Sequence, residues 1–241
     1  METVFETDYT VDAVDINLYG RLRPTRLLEL IQQVAGRHAA LLGFGWKKLE
    51  EQRLAWVLVR QHLEIDRMPE RDEIMHFVTW PGRPMHSLLP RYMQILDGSG
   101  HEIIRSCTVW VIMNEDSRSM ILPSSFGINF PFSSREPLMA LPRMPKVLLP
   151  ELFRTNFTVP FSYVDIIGHM NNTRYMDAAE NILPAPQEGA LLKDLLIEYS
   201  HELRLNETME MTVGQDGSRF SVRGIKNGDT VFTLYLRYET A

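Results

Sequence analysis

Two stretches of the chain show the three- and four-residue spacing of apolar side chains that is typical of a buried helix face. The first runs over residues 27–42, with Pro24 ahead of it and Gly43 as a stop signal. The second runs over residues 175–183 and ends at Pro184. The spacing therefore predicts a long helix in the first half of the chain and a shorter helix in the second.

Each predicted helix is followed by alternating stretches that are rich in β-branched and aromatic residues. The predicted strands are 54–65, 73–80, 88–97 and 102–114 in the first half, and 195–205, 209–215, 218–225 and 230–239 in the second. Glycine-containing turns at 97–100 and 226–229 join neighbouring strands as hairpins. One helix followed by an antiparallel meander predicts an α+β fold, in which pairing the two sheets side by side would protect their edges.

The two halves also begin alike, which indicates duplication of one unit. The segment Val-Asp-Ile at 14–16 precedes Gly20, and the same segment at 164–166 precedes Gly168, so that the glycines are 148 positions apart. Six of the 14 prolines lie between 123 and 150, where no periodicity persists. We therefore predict a first unit over residues 1–124, a proline-rich linker over 125–150 and a second unit over 151–241.

Composition narrows the classes of protein that are possible. With 44% hydrophobic and 23% charged residues, the chain of 241 residues has the makeup of a globular protein with a packed core. Its net charge of −6 argues against a general affinity for nucleic acid or an anionic membrane surface. No apolar run approaches the ~20 residues of a membrane span, and the first ten residues lack a signal-peptide pattern, so a cytoplasmic location is expected. The single cysteine, Cys107, cannot form an internal disulfide or a cysteine metal cluster.

The segment ahead of the second helix carries the densest group of chemically active side chains. It contains the acid Asp165, the imidazole of His169, and the amides of Asn171 and Asn172. A helix that begins after His169 would direct unpaired N–H groups at whatever lies in front of it, which suits a carbonyl oxygen that gains negative charge. The alternative is that Asp165 and an asparagine only cap the turn, and that His169 is an ordinary loop histidine.

This segment resembles the Asp-x-Asn-x-His-x-Asn-Asn-x-x-Tyr signature of plant and bacterial acyl-acyl carrier protein (acyl-ACP) thioesterases. The first half supports the resemblance through Gly-Arg-Leu at 20–22, Ala-Gly-Arg-His-Ala at 35–39 and Leu-Ala-Trp-Val-Leu at 54–58. Members of that family are tandem hotdog proteins, in which a curved antiparallel sheet wraps around a long helix in each unit. The resemblance therefore implies an α+β double hotdog, in agreement with the predicted order of elements.

The resemblance also implies roles for individual residues. Asp165 and His169 fall on the family's acidic and histidine positions, and Glu202 falls on a further catalytic carboxylate. Leu203 stands where some relatives have a cysteine. Our hypothesis is that Glu202 is the general base on water, that Asp165 orients the site or shares that role, and that His169 with the helix amides polarises the thioester carbonyl.

One position departs from the family pattern. The asparagine between the acid and the histidine is Ile167 here, and isoleucine neither donates nor accepts a hydrogen bond. We expect Asn171, Asn172 or backbone N–H groups to replace it in positioning the substrate, and weak turnover is the alternative.

By the same resemblance, the acyl chain would lie in a tunnel of the first unit, lined by Leu30, Ile31, Val34 and Trp56. An ordinary helix-on-sheet core explains the same residues. An acidic carrier protein would dock on positive charge, for which Arg21, Arg23 and Arg26 are the candidates, with solvated surface charge as the alternative.

The resulting expectation is an acyl-ACP thioesterase that releases free fatty acid in fatty acid biosynthesis. It needs neither a metal nor an organic cofactor, its partner is acyl-ACP, and a homodimer is expected. Two alternatives stay open: a hotdog hydrolase acting on acyl-coenzyme A, and a hotdog protein that binds acyl thioesters without cleaving them.

Overall fold

The computed structural model describes residues 3–126 and 129–240. Within them, eleven strands form one antiparallel sheet against which the helices pack. The strands are β1 (Phe5–Thr10), β2 (Leu54–Ile65), β3 (Ile74–Pro81), β4 (Leu89–Leu96), β5 (Glu102–Asn114), β6 (Ser119–Met120), β7 (Glu151–Thr158), β8 (Leu191–Tyr199), β9 (Thr208–Asp216), β10 (Arg219–Lys226) and β11 (Asp229–Glu239). The helices are α1 (Pro24–Leu41), α2 (Trp46–Glu50), α3 (Arg174–Glu180) and α4 (Pro184–Gln187), with short 3₁₀ turns at Pro123–Phe126 and Phe161–Tyr163.

The sheet passes from the first half of the chain to the second without interruption. Its order is β1-β3-β4-β5-β2-β8-β11-β10-β9-β7, and β6 pairs with β5. The junction is the antiparallel pair β2–β8, in which His62 lies opposite Leu196. The predicted side-by-side pairing of the two sheets is thereby confirmed, and with it the double hotdog.

The two central helices share one hydrophobic core. Leu27, Leu30 and Ile31 of α1 and Tyr175 and Met176 of α3 are buried in the same cluster. A fully buried leucine contributes about 2 kcal/mol through the hydrophobic effect. This shared burial ties the two units into one body.

Polar contacts also join the two helices. The Arg174 guanidinium lies 2.9 Å from Glu29 of α1, and Thr25 Oγ1 donates a hydrogen bond of 2.5 Å to Asp177. Because each contact has one partner in each unit, the relative position of the helices is fixed by specific pairs as well as by apolar burial.

The elements that were not predicted from the sequence include the strands β1, β6 and β7 and the short helices α2 and α4. The second helix is also shorter than predicted, since α3 ends at Glu180 and Pro184 begins α4 instead of merely stopping a helix. Proline is well suited to a first helical turn because its missing N–H would have no partner there.

In the structure, the equivalent residues of the two units are shifted by two positions from the pairing that the Val-Asp-Ile segments suggest. Asn17 and Asp165 are equivalent, because the Oδ1 of each accepts backbone hydrogen bonds from the residues two and four positions later. Asp15 instead lies buried and accepts hydrogen bonds from Tyr9 Oη and Arg26 Nε. Pairing Asp15 with Asp165 was therefore wrong.

The segment that connects the two units lies on the sheet surface. Residues 129–150 contain no helix or strand. Leu138, Met139 and Leu141 pack against a buried cluster that includes Val78 and Trp80. The segment thus covers part of the first unit rather than spanning the units as a free tether.

Candidate active site

The loop over residues 165–169 has a fixed shape. The Asp165 carboxylate accepts hydrogen bonds from the backbone N–H groups of Ile167 (3.1 Å) and His169 (3.3 Å), and Asp165 N donates to His169 O (2.8 Å). Gly168 adopts a φ of 82°, a conformation that favours glycine. Asp165 therefore orients the loop that presents the imidazole of His169.

Glu202 lies in a loop and not on a strand. The predicted strand 195–205 was wrong at its end, because β8 stops at Tyr199. The next two amides, of Ser200 and His201, both donate to Val231 O, so the strand ladder ends there. The chain then passes beside the 165–169 loop, where Met170 N donates a hydrogen bond of 2.7 Å to Leu203 O.

This passage brings Glu202 and His169 together. Glu202 Oε1 lies 3.3 Å from His169 Nε2 and 3.1 Å from Arg204 Nη2. Its other oxygen, Oε2, accepts a hydrogen bond of 2.5 Å from Arg118. Since Arg118 lies in the turn between β5 and β6, the first unit contributes directly to the surroundings of the carboxylate.

The electrostatic environment holds Glu202 in its charged form. Burial raises its pKa, but the hydrogen bond from Arg118, the positive charge available on His169 and the hydrogen bond from Arg204 outweigh burial, so the net pKa is below the usual range. Glu202 is therefore a carboxylate at neutral pH, able to accept a proton.

Sequence reasoning did not find Arg118. It lies 84 positions before Glu202, in a short polar turn that has the composition of any exposed hairpin turn. No local pattern distinguishes it, because its importance arises only when the second unit folds beside the first.

In the described part of the chain, no hydrogen bond joins Asn171 or Asn172 to this pair. Asn171 Oδ1 accepts hydrogen bonds from the N–H and hydroxyl of Thr173, and the backbone carbonyl of Asn172 accepts one from Tyr199 Oη. Thr173, and neither asparagine, is the N-cap residue of α3. The Asn171 side chain thus shapes the turn before the helix, as the structural alternative anticipated, and its substrate-positioning role stays a prediction, as does that of Asn172.

The N-terminus of α3 offers fewer free donors than expected. The backbone N–H of Arg174 donates to Asn171 O, and that of Met176 donates to Thr173 O. Two of the first three helical amides are therefore engaged, which leaves His169 as the better-placed group to polarise a carbonyl.

Ile167 lies outside the cluster of charged groups. Ile167 is 57% exposed, and the neighbouring Ile166 is 87% exposed. The position that carries an amide in the family signature thus presents an apolar side chain at the surface of the loop.

The predicted tunnel residues separate into two groups. Leu30, Ile31 and Val34 lie in the main core, whereas Trp56 packs with Trp110 in a second cluster beside the β2–β5 pair. Their role in acyl binding stays a prediction.

The predicted carrier-protein patch is less cationic than its sequence implies. Arg26 pairs with Asp15 (2.8 Å) and Glu29 (3.0 Å). Arg21 and Arg23 donate to backbone carbonyls, at Gly189 and Val14 respectively. Arg26 therefore has little charge to offer a partner, and docking at Arg21 and Arg23 stays a prediction.

A cavity of about 220 Å³ lies between the two units, at the end of α3. Arg21, Met68, Glu180 and Tyr238 are among its lining residues. Burial and the nearby negative charge of Asp177 raise the pKa of Glu180 to about 7, against the opposing charge of Arg23.

The described residues contain no group of three or more histidine, cysteine or acidic side chains arranged to hold a metal ion. In the ranges 3–126 and 129–240, no helix has the length and apolarity to cross a membrane.

The fold and this site define a tandem hotdog protein with a carboxylate–imidazole pair where the two units meet. Sequence models of the acyl-ACP thioesterase N-terminal and C-terminal domains match residues 2–122 and 149–232, respectively. The chain belongs to the acyl-ACP thioesterase family.

Individual relatives agree with this assignment. The chain is 24% identical over 229 residues to a chloroplastic palmitoyl-acyl carrier protein thioesterase of Arabidopsis thaliana, and 22% identical over 219 residues to a chloroplastic oleoyl-acyl carrier protein thioesterase of Coriandrum sativum. These matches cover 89% and 83% of this chain. The chain spans 56% of the length of each of these relatives.

Solved structures share the fold over the whole chain. An acyl-ACP thioesterase from Bacteroides thetaiotaomicron superposes with a TM-score of 0.81 at 22% identity, covering 98% of both chains. The 12:0-ACP thioesterase from Umbellularia californica has a TM-score of 0.81 at 16% identity, covering 100% of this chain and 99% of its own.

Proposed function

We propose that this protein is a thiolester hydrolase that cleaves acyl-ACP to a free fatty acid and the carrier thiol. The observation that carries the proposal is the contact between His169 Nε2 and Glu202 Oε1 at 3.3 Å, beside a loop whose shape Asp165 fixes. The family membership and the names of the relatives support the same reaction and its place in fatty acid biosynthesis.

In the proposed reaction, Glu202 accepts a proton from water while the water oxygen attacks the thioester carbonyl carbon. The electron pair of the C=O bond moves to oxygen, where His169 donates a hydrogen bond. When the carbonyl re-forms, the C–S bond breaks, and the departing sulfur takes up the proton to leave as a thiol. The products are the fatty acid and the free carrier.

Substitution of Glu202 tests the proposal. Glu202→Gln keeps the size of the side chain and removes the base, so we expect a loss of kcat of about 10²- to 10⁴-fold in acyl-ACP hydrolysis. Glu198→Gln is the matched control, because Glu198 lies on β8 and pairs with Arg60, away from the site. Equal activities of the two variants would contradict the assignment of Glu202.

The carrier distinguishes this proposal from its nearest alternative. Hydrolysis of acyl-ACP and of acyl-coenzyme A that carry the same acyl group should be compared, and we expect the higher kcat/KM for acyl-ACP. A higher value for acyl-coenzyme A would instead identify the carrier as coenzyme A. Acyl thioester that is bound but never hydrolysed would identify a binding protein.

We also propose that the protein is cytoplasmic and that it forms a homodimer. Light scattering on the purified chain measures the oligomeric state, and a mass corresponding to 27.9 kDa would exclude the dimer.

A further inference from the structure

A band of polar side chains crosses the inner face of the first unit's sheet. Gln61 of β2 lies opposite Thr108 of β5, which in turn lies opposite Arg91 of β4, so the three side chains leave the sheet on the same face. His38 of α1 contacts this face, with its Nδ1 2.9 Å from Arg91 Nη1. We name these four residues the polar band.

The polar band separates two apolar regions. On one side, Leu63 and Met93 belong to the main core. On the other side, Trp56 and Trp110 pack around Ile112 in the second cluster. All five occupy the band's face of the sheet, because they lie opposite one another in register or an even number of positions along the same strands. The polar band therefore interrupts the apolar side chains of this face.

Arg91 carries a charge that no described carboxylate neutralises. Its guanidinium forms hydrogen bonds with His38 Nδ1 and, at 3.3 Å, with Thr79 Oγ1, and no carboxylate of the described residues lies within 4 Å. Burial lowers its pKa to about 10, so the guanidinium is still charged at neutral pH. Burying a cation without a counter-charge is costly, and such a group is a strong partner for an oxygen anion.

Two polar side chains of the inner face, both among the described residues, have unused hydrogen-bonding capacity. Gln61 Nε2 is buried without a hydrogen-bond partner among the described residues, and so is Ser106 Oγ, two positions before Thr108 on β5. Polar atoms in a protein interior are normally paired, so two unpaired atoms on the same sheet face as the half-buried Arg91 point to a polar ligand.

The polar band lies along the strand that leads to the candidate active site. From Thr108, β5 passes Trp110 and Ile112 and reaches Asn114, next to the turn that carries Arg118. Six residues of a strand span roughly 20 Å, which is within the reach of an extended acyl chain. The intervening side chains on this face are apolar.

We propose that the polar band receives the far end of the acyl group, and that Arg91 selects acyl groups that carry an oxygen there, a carboxylate above all, over methyl-terminated groups of the same length. This inference rests on the proposed function, because it places the thioester end of the substrate at Glu202. A terminal carboxylate accepts hydrogen bonds from Arg91 and Gln61, whereas a methyl end leaves these donors unpaired.

The test compares two acyl-ACP substrates of equal length, one ending in a methyl group and one in a carboxylate. We expect the wild-type protein to favour the carboxylate by about 10- to 100-fold in kcat/KM. Arg91→Met should reduce that ratio at least tenfold, and Arg91→Lys, which keeps the charge, should retain most of it. Arg105→Met is the control, because Arg105 on β5 is half-exposed and pairs with Glu102, so the ratio should be unchanged.

A wild-type ratio of one or less overturns the inference, and so does an Arg91→Met protein that keeps the wild-type ratio. If Arg91→Met does not fold, Gln61→Leu replaces it and should lower the ratio. Thermal stabilisation by a free dicarboxylic acid, compared with the monocarboxylic acid of equal length, gives a readout without hydrolysis. The dicarboxylic acid could stabilise the wild-type protein selectively, and not Arg91→Met, while neither substrate is hydrolysed. That result would refute the hydrolase function but support the selectivity that we assign to Arg91.

Discussion

Arg21 holds in the first unit the position that His169 holds in the second. The backbone N–H of Arg21 donates to Asn17 Oδ1 (3.2 Å), as that of His169 donates to Asp165 Oδ1 (3.3 Å). The two loops thus have the same construction with different side chains at the position that faces the neighbouring loop.

Met68 is likewise the counterpart of Glu202. Leu22 N donates to Pro69 O, as Met170 N donates to Leu203 O, and Met68 and Glu202 each precede the accepting residue. A guanidinium and a thioether therefore replace the imidazole and carboxylate, so the first unit lacks the acid–base pair at this position.

The first prediction concerns His169. We expect His169→Gln to lower kcat for acyl-ACP hydrolysis by about 10²- to 10⁴-fold, because the developing oxyanion loses its imidazole donor. His201→Gln is the control, since the His201 ring lies 2.7 Å from Thr230 O and not at Glu202. Losses of similar size in the two variants would refute the role of His169.

The second prediction concerns Arg118 and pH. Arg118 helps to hold the pKa of Glu202 below its usual range, so Glu202 stays deprotonated further into acid. Arg118→Gln should raise that pKa, and the acid limb of the kcat/KM profile should move to higher pH. The carboxyl titration of Glu202, followed by NMR and assigned by its loss in Glu202→Gln, measures the same shift without activity.

Arg53→Gln is the matched control for Arg118. Arg53 pairs with Glu115 and Asp116, which lie in the same turn as Arg118, and it forms no ion pair with Glu202. An acid limb that stays in place in Arg118→Gln, or that moves equally in Arg53→Gln, would show that Arg118 does not tune the carboxylate.

The third prediction concerns the stability of the fold. The pKa of Glu180 is raised by burial from 4.5 to about 7, so between these values the folded protein binds a proton that the unfolded chain has lost. The free energy of unfolding should therefore decrease as pH rises through this window, by on the order of 3 kcal/mol.

Glu180→Gln should remove this pH dependence and leave the protein more stable at pH 8 than the wild type. Urea unfolding at several pH values measures the effect. Glu188→Gln, at an exposed position after α4, should keep the wild-type dependence. If Glu180→Gln keeps it as well, the dependence arises from another group.

The fourth prediction concerns the contact between the connecting segment and the second unit. A Cβ at Gly214 would lie 2.6 Å from Leu149 O and 2.7 Å from Ser221 Oγ. Gly214→Ala should therefore lower the free energy of unfolding by about 1–3 kcal/mol. Gly36→Ala, on α1 with open space around it, should raise that free energy by about 0.5–1 kcal/mol, and thermal unfolding compares the two.

Much of the fold could be predicted because its central elements carry strong periodicity. The spacing over 27–42 corresponds to α1, and the alternating stretches 54–65 and 102–114 coincide with β2 and β5. The edge strands β1 and β7 were missed, since charged and threonine residues on their open sides weaken the apolar pattern.

The site was only partly predictable. Asp165 and His169 lie in one short segment, so their proximity follows from the sequence, and the resemblance to a family added Glu202. The surroundings of Arg118 and Arg91 are formed by segments that are distant in sequence, so no local sequence pattern predicts them.

The unbroken sheet through β2 and β8, together with the core shared by α1 and α3, makes each half depend on the other for its folding. If the chain is cut within residues 129–150, the two fragments should be insoluble alone. They should regain a native circular dichroism spectrum only when they are mixed. The intact protein should melt in a single calorimetric transition, so a destabilising change in either half weakens the other half equally.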